Sequence, residues 1–183
     1  KKYKNFPKTV NFIREDKEKN IKWGGILKKY EGPKIGINAS ASSATSGDRI
    51  IPLENFKTLT KLKNLNFFVI QKDFHKNEIH KININSNVYY FEKLDKTGKA
   101  FQDTISLIKN LDLIITADTS LGHLSATLGK PTWIVLSFIS DWRWFNQDNK
   151  SVWYDNVTLF KQKKIGDWNE VFNLIEQDLE KKF

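Results

Sequence analysis

Residues 111–136 read LDLIITADTSLGHLSATLGKPTWIVL and join two apolar segments through a polar turn and a stretch of small residues. Residues 113–115 form a continuous apolar run, which is typical of a strand buried on both faces of a parallel sheet. Gly129 and Pro131 follow the small-residue stretch and indicate a helix end. The segment therefore predicts a strand, a helix and a second strand in close succession.

The polar turn consists of Asp118, Thr119 and Ser120. Such residues favour helix N-caps because their side-chain oxygens accept hydrogen bonds from the first backbone N–H groups of the helix. The same N–H groups bind anions, so the turn also fits a phosphate site. His123 follows one turn into the helix, close to any such ligand. A cap needs no ligand, however, and a helical histidine is often structural, so the residues alone leave both interpretations open.

The rest of the chain alternates between predicted strands and predicted helices. This alternation predicts a three-layer α/β domain with a mostly parallel sheet. Right-handed crossovers place the carboxyl ends of all strands at one edge of the sheet, where ligands bind. Ser40, Gln71 and Asp118 each follow a predicted strand, so we expect them to converge there. Strands are predicted at residues 34–39, 66–71, 88–91 and 157–160, and helices at residues 16–29, 52–62, 101–109 and 168–180.

Residues 40–48 form a loop rich in serine. Ser, Thr and Gly supply backbone freedom and hydroxyl donors for a phosphate, but the Walker pattern is absent. A phosphate cradle and a solvated, flexible loop therefore fit this stretch equally well.

The composition restricts the class of protein. A length of 183 residues suits one domain with a substantial core. The formal net charge of +9 favours anionic partners, such as nucleotide phosphates, nucleic acid or an anionic membrane surface. The lysines are scattered through the chain and form no single stripe, so specific nucleic-acid binding is not expected.

Cysteine is absent and the three histidines are widely spaced, so we expect neither a disulfide framework nor a metal site. No apolar run reaches the roughly 18 residues of a transmembrane helix, and the first residues lack a signal-peptide core. These features predict a cytoplasmic protein. The chain starts at Lys1 and contains no methionine, from which we expect a piece of a longer protein with a further N-terminal domain.

Residues 137–154 read SFISDWRWFNQDNKSVWY and contain three tryptophans. Aromatic side chains bury large areas, so one interpretation is a loop packed against the sheet edge. The alternative is a wall, including Trp142, on which a base or a sugar stacks. Arg143 would then pair with a phosphate or with Asp141.

The D-T-S-x-x-H element, the DWRW segment and the upstream IGINASASSATSGDRIIPLENF resemble heptosyltransferase-like glycosyltransferases of family 9. The similarity covers residues 34–171 and includes especially bacterial members that carry tetratricopeptide repeats. The resemblance implies the C-terminal half of a GT-B enzyme, a Rossmann-like domain that binds the nucleotide-sugar donor. Residues 31–183 would form that domain, and residues 1–30 would connect it to an N-terminal acceptor-binding domain.

The resemblance also implies roles for individual residues. The general base would lie in the N-terminal domain, so no catalytic residue is expected in this chain. Arg49 would contact the diphosphate. Asp118, Thr119 and Ser120 would grip the donor sugar and diphosphate, with His123 behind them. The remaining nucleotide-pocket residues would be Ser40, Ser42, Gln71 and Lys72.

The expected function is therefore donor binding in an inverting, metal-independent glycosyltransferase. The enzyme would transfer a sugar to a glycan, a lipid-linked glycan or a protein, and the isolated domain would be inactive. The alternative is a non-catalytic module that senses a nucleotide or serves as a scaffold within a repeat protein, because fold does not secure function.

Overall fold

The computed structural model describes residues 12–39, 50–71, 76–96, 100–145 and 149–183. Within these ranges, six strands form one sheet and four α-helices cover it. The strands are β1 (Lys34–Asn38), β2 (Asn66–Val69), β3 (Val88–Tyr90), β4 (Leu113–Ala117), β5 (Thr132–Leu136) and β6 (Val157–Lys161). The helices are α1 (Lys17–Leu27), α2 (Gln102–Lys109), α3 (Ser120–Thr127) and α4 (Asn169–Lys182).

The strand order is β3-β2-β1-β4-β5-β6, and every neighbouring pair is parallel. This is the order of a Rossmann-like sheet, which confirms the predicted fold class. The chain builds the sheet from β1 outward to β3, then returns to add β4 on the other side of β1. The carboxyl ends of β1 and β4 therefore border the crevice at which such folds bind ligands.

The sheet is covered on both faces, so the domain has the predicted three layers. Leu113 and Ile115 belong to the core shared with α4, whereas Ile114 between them packs into the core shared with α1 and α2. Successive residues of a strand point to opposite faces, so a central strand with two covered faces needs an unbroken apolar run. All five residues of β4 are buried, as are all five of β5.

Gly36 lies in the middle of β1 and allows the layer beneath α2 to pack closely. A Cβ atom at this position would lie 2.4 Å from Ile70 Cδ1 and 2.6 Å from Ile114 Cδ1. Both distances are shorter than carbon atoms tolerate, so the surrounding side chains occupy the space that a larger residue would need.

The helix predicted over residues 52–62 is wrong. The structure has two short 3₁₀ helices there, Leu53–Lys57 and Leu59–Lys61. The backbone N–H of Asn55 donates to the carbonyl of Pro52, three residues earlier, as a 3₁₀ helix requires. The apolar residues of this stretch recur every three positions, which matches three residues per turn better than 3.6. A further 3₁₀ helix, Lys76–Lys81, lies between β2 and β3.

The first helix is fastened to the rest of the domain by a buried carboxylate. Asp103, at the start of α2, accepts hydrogen bonds from Lys19 Nζ at 2.6 Å and from Trp23 Nε1 at 3.0 Å. Trp23 and Leu27 are buried in the same core as α2. Residues from α1 thus complete, together with α2, one of the two helical layers that cover the sheet. No helix within the described ranges is long and apolar enough to cross a membrane.

Candidate functional site

A buried asparagine joins the two strands that border the crevice. Asn38, at the carboxyl end of β1, is 4% exposed. Its side-chain Nδ2 donates to Thr116 Oγ1 at 3.1 Å and to Thr119 Oγ1 at 3.2 Å. Asn38 is not among the residues predicted from the sequence, although a polar residue at the end of an apolar strand (KIGIN) is a usable signal.

Thr119 caps α3, as the sequence predicted. Its Oγ1 accepts from the backbone N–H of Leu121 at 3.3 Å. Thr116 Oγ1 lies 3.3 Å away and donates its own proton to the carbonyl of Ala117, so the Thr119 hydroxyl donates to Thr116. With two bonds accepted and one donated, this hydroxyl is fully used in holding the turn. Ser120, the next residue, is exposed and begins the helix.

His123 lies in an aromatic environment at the same edge of the sheet. Its ring stacks on Trp144 with centroids 5.0 Å apart and an interplanar angle of 19°. Tyr154 Oη lies 3.0 Å from its Nδ1. Burial lowers the pKa of His123 below its ordinary value, and the nearby Arg143 acts in the same direction. The imidazole is therefore neutral at pH 7.

Two carboxylates oppose the lowering of the His123 pKa by burial. Asp118, which is 7% exposed at the end of β4, and Asp141, in the segment after β5, both act to raise the pKa of His123. Both carboxylates therefore act electrostatically on the imidazole at this edge of the sheet.

The tryptophan-rich segment, residues 137–154, contains both a tryptophan packed into the core and a tryptophan exposed at the surface. Trp144 is 1% exposed and packs into the core, whereas Trp142 is 71% exposed. Arg143 donates from its guanidinium to Asp141 at 2.9 Å, and its guanidinium carbon lies 5.7 Å from the Trp142 ring centre. Trp153 Nε1 donates to the carbonyl of Arg143 at 2.7 Å. The segment is thus a packed loop around Trp144 that presents Trp142 and Arg143 at the surface.

A cleft of about 180 Å³ lies on the other side of β1. Gln71, predicted as a pocket residue, lines it together with Ala39, which directly follows Asn38. Lys81 also lines the cleft, 3.6 Å from Glu54 and 3.5 Å from Glu78. Ligand pockets for whole small molecules usually measure 300–1,000 Å³, so this cleft suits one ring of a larger ligand.

The structure therefore brings together most of the predicted residues that it describes. Asp118, Thr119, Ser120 and His123 form one group around the start of α3, with Arg143 beside it. Gln71 follows β2 and so lies on the opposite side of β1 from this group. Four of the predicted residues lie outside the described ranges, namely Ser40, Ser42, Arg49 and Lys72. Tyr154, which contacts His123, was not predicted. Among the described residues, no group of three His, Cys, Asp or Glu side chains could hold a metal ion.

Residues 9–136 match the family model of glycosyltransferase family 9 (heptosyltransferase), and this match covers more than half of the chain. The chain belongs to glycosyltransferase family 9. Its match includes β1, β4, β5 and the D-T-S-x-x-H turn. The predicted resemblance to family 9 is confirmed. No curated protein matches this family 9 domain in sequence.

Solved structures share its fold. Escherichia coli ADP-heptose lipopolysaccharide heptosyltransferase II superposes with a TM-score of 0.62 at 12% identity, over 93% of this chain and 54% of the enzyme. A family 9 glycosyltransferase from Veillonella parvula superposes with a TM-score of 0.62 at 11% identity, over 92% of this chain and 51% of that protein. Escherichia coli heptosyltransferase WaaC with ADP superposes with a TM-score of 0.56 at 16% identity, over 83% of this chain and 45% of that protein. The family 9 domain thus spans about half the length of these proteins.

Proposed function

We propose that this family 9 domain binds the nucleotide-sugar donor of an inverting, metal-independent glycosyltransferase. The observation that carries the proposal is the convergence of Asn38, Asp118, Thr119 and His123 at the crevice between β1 and β4. Rossmann-like sheets bind nucleotides at this crevice. The family membership supplies the chemistry, and the structures of WaaC contain ADP in one case and ADP-2-deoxy-2-fluoro heptose in the other.

The start of α3 would hold the donor diphosphate. Backbone N–H groups in the first turn of a helix attract anions, and Ser120 adds an exposed hydroxyl. The Thr119 hydroxyl is fully used within the turn, so we assign it the role of shaping the turn for the ligand. Asp118 would accept hydrogen bonds from the hydroxyls of the sugar, because a carboxylate only accepts when it is ionised.

Charge on the leaving group is the main electrostatic demand of the reaction. When the glycosidic bond breaks, the nucleoside diphosphate departs with additional negative charge, which the helix start and Arg49 would stabilise without a metal ion. The acceptor hydroxyl would be deprotonated by a base on an N-terminal domain outside this chain. The acceptor would be a glycan, a lipid-linked glycan or a protein, and the supply of nucleotide sugars favours a cytoplasmic enzyme.

The cleft next to β1 would receive the nucleoside. Gln71 offers both a donor and an acceptor to the edge of a base, and the cleft volume of about 180 Å³ suits a ring system. Ala39 links this cleft to Asn38 and so to the turn at α3. Ser40, Ser42 and Lys72 would complete the nucleotide pocket, and Trp142 with Arg143 would form its outer wall.

Calorimetric titration with a panel of nucleoside diphosphates tests the proposal. We expect one of them to bind, and Asp118→Ala and Arg49→Ala to weaken it by about tenfold or more, the effect of losing roughly 1.4 kcal/mol. Asp178→Ala, on the surface of α4, is the matched control and should leave the affinity unchanged. Absence of binding by every nucleoside diphosphate, or unchanged affinity in both site variants, contradicts the proposal. Binding without donor hydrolysis or transfer by the full-length protein favours a non-catalytic module.

A further inference from the structure

Tyr154 is held in a fixed position beside His123. It belongs to the segment that precedes β6 and packs against the core formed by Ala126, Ile134 and Trp144. Its Oη lies 3.0 Å from His123 Nδ1, while Trp144 stacks on the imidazole. The ring is thus held on one face and at one nitrogen, and both contacts come from side chains outside α3.

The contact with Tyr154 favours one of the two tautomers of neutral His123. A neutral imidazole has one N–H donor and one acceptor nitrogen. The acceptor nitrogen is more basic than a phenol oxygen, and the phenol O–H is a good donor, so the favoured bond runs from Tyr154 Oη to His123 Nδ1. The proton of the neutral ring then lies on Nε2, at the opposite side of the ring from the tyrosine.

We propose that Tyr154 is a positioning residue that keeps His123 in the Nε2–H tautomer, so that Nε2–H serves as an uncharged donor to the diphosphate at the start of α3. This inference rests on the proposed function, because it assigns a residue to the same donor site. It extends the site to the segment before β6.

The charged groups around His123 are compatible with an uncharged donor. Asp118 approaches from the end of β4, and Asp141 and Arg143 approach from the segment after β5. Arg143 and Asp141 form an ion pair at 2.9 Å, so their opposite effects on the imidazole partly cancel. Burial favours the neutral ring. The lowered pKa therefore favours the neutral ring, and with it the tautomer held by Tyr154, at pH 7.

Long-range ¹H–¹⁵N NMR of the histidine side chains tests the tautomer directly. The protein has three histidines, and the spectrum of His123→Gln assigns the signals of His123. In the wild type without ligand we expect the Nε2–H tautomer. In Tyr154→Phe we expect a mixture of tautomers, a rise in the pKa of His123, and affinity for the nucleoside diphosphate about two- to tenfold weaker, as for one lost hydrogen bond. Tyr89→Phe, in β3, is the matched control and should change none of these.

The outcomes separate this inference from the proposed function. An Nδ1–H tautomer in the wild type overturns the inference, and this measurement needs no variant to fold. An unchanged tautomer in folded Tyr154→Phe, or an altered tautomer with unchanged nucleotide affinity, also overturns it. Absence of nucleotide binding by the wild type instead contradicts the proposed function, whereas the tautomer is read from the protein without ligand.

Discussion

Asn38 and Thr119 are linked by a hydrogen bond of 3.2 Å between Nδ2 and Oγ1, across the crevice between β1 and β4. The same amide bonds Thr116 at 3.1 Å, so one side chain connects the end of β1 to both the end of β4 and the cap of α3. The helix start that would face the donor is therefore held by a residue 81 positions away in sequence.

Replacing Asn38 should loosen this connection. Asn38→Ala removes both hydrogen bonds, one to the buried Thr116 and one to the partly buried Thr119, which should lower the free energy of unfolding by about 1–3 kcal/mol. Nucleoside diphosphate affinity should fall as well, because the cap of α3 loses its support. Urea denaturation and calorimetry measure the two effects. Asn173→Ala, on the exposed side of α4, should stay within about 0.5 kcal/mol of the wild type, and an equal loss in both variants would contradict this role for Asn38.

The predictable parts of this fold are those that depend on local sequence. The apolar run of β4, the cap at Thr119 and the glycine after α3 each have a local physical cause, and Gly129 indeed has a φ of +74°. The contact between Asn38 and Thr116 depends instead on the order and register of strands, which pair Asn38 with Thr116 directly. Tyr154 was missed for the same reason, because its contact with His123 joins segments 31 residues apart.

The two glycines Gly36 and Gly25 should respond to alanine in opposite directions. Gly36→Ala places a methyl group against Ile70 and Ile114 in the core, so we expect a loss of about 1–3 kcal/mol. Gly25 is exposed in α1, and a Cβ there meets nothing within 4 Å. Gly25→Ala should therefore stabilise the domain by up to about 1 kcal/mol through helix propensity. Thermal unfolding of both variants checks the sign of each change in stability, and a stabilised Gly36→Ala would contradict the tight packing of Ile70 and Ile114 around Gly36.

Two tryptophans separated by a single residue should differ sharply in their contribution to stability. Trp144→Ala removes a side chain that is 1% exposed and supports His123, so a loss of about 3–5 kcal/mol is expected. Trp142→Ala removes one that is 71% exposed, and unfolding should change by less than about 1 kcal/mol. If Trp142 forms the wall of the donor site, nucleotide-sugar affinity should nevertheless fall in Trp142→Ala. Chemical denaturation together with calorimetry distinguishes the two roles, and equal stabilities would argue against the packed loop.

The ionic contact between Lys19 and Asp103 should make the attachment of α1 dependent on pH. Burial alone raises the pKa of Asp103, but the hydrogen bonds from Lys19 and Trp23 outweigh it and hold this pKa below its ordinary value. A lowered pKa stabilises the folded state above the pKa of the unfolded chain, about 3.9, and this contribution disappears as the pH falls through the folded value. Asp103→Asn should therefore be less stable than the wild type by about 1–3 kcal/mol at pH 7, and the difference should narrow below about pH 4.

Urea denaturation of the wild type and of Asp103→Asn across this pH range measures that difference. Asp178→Asn is the matched control, because its partner Lys181 lies 3.3 Å away in an exposed pair on α4. Exposed pairs contribute little, so Asp178→Asn should differ from the wild type by less than about 1 kcal/mol at every pH. A gap between the wild type and Asp103→Asn that is as large at pH 3 as at pH 7 would show that the ionised carboxylate does not hold α1, and would leave only the packing of Trp23 and Leu27 to do so.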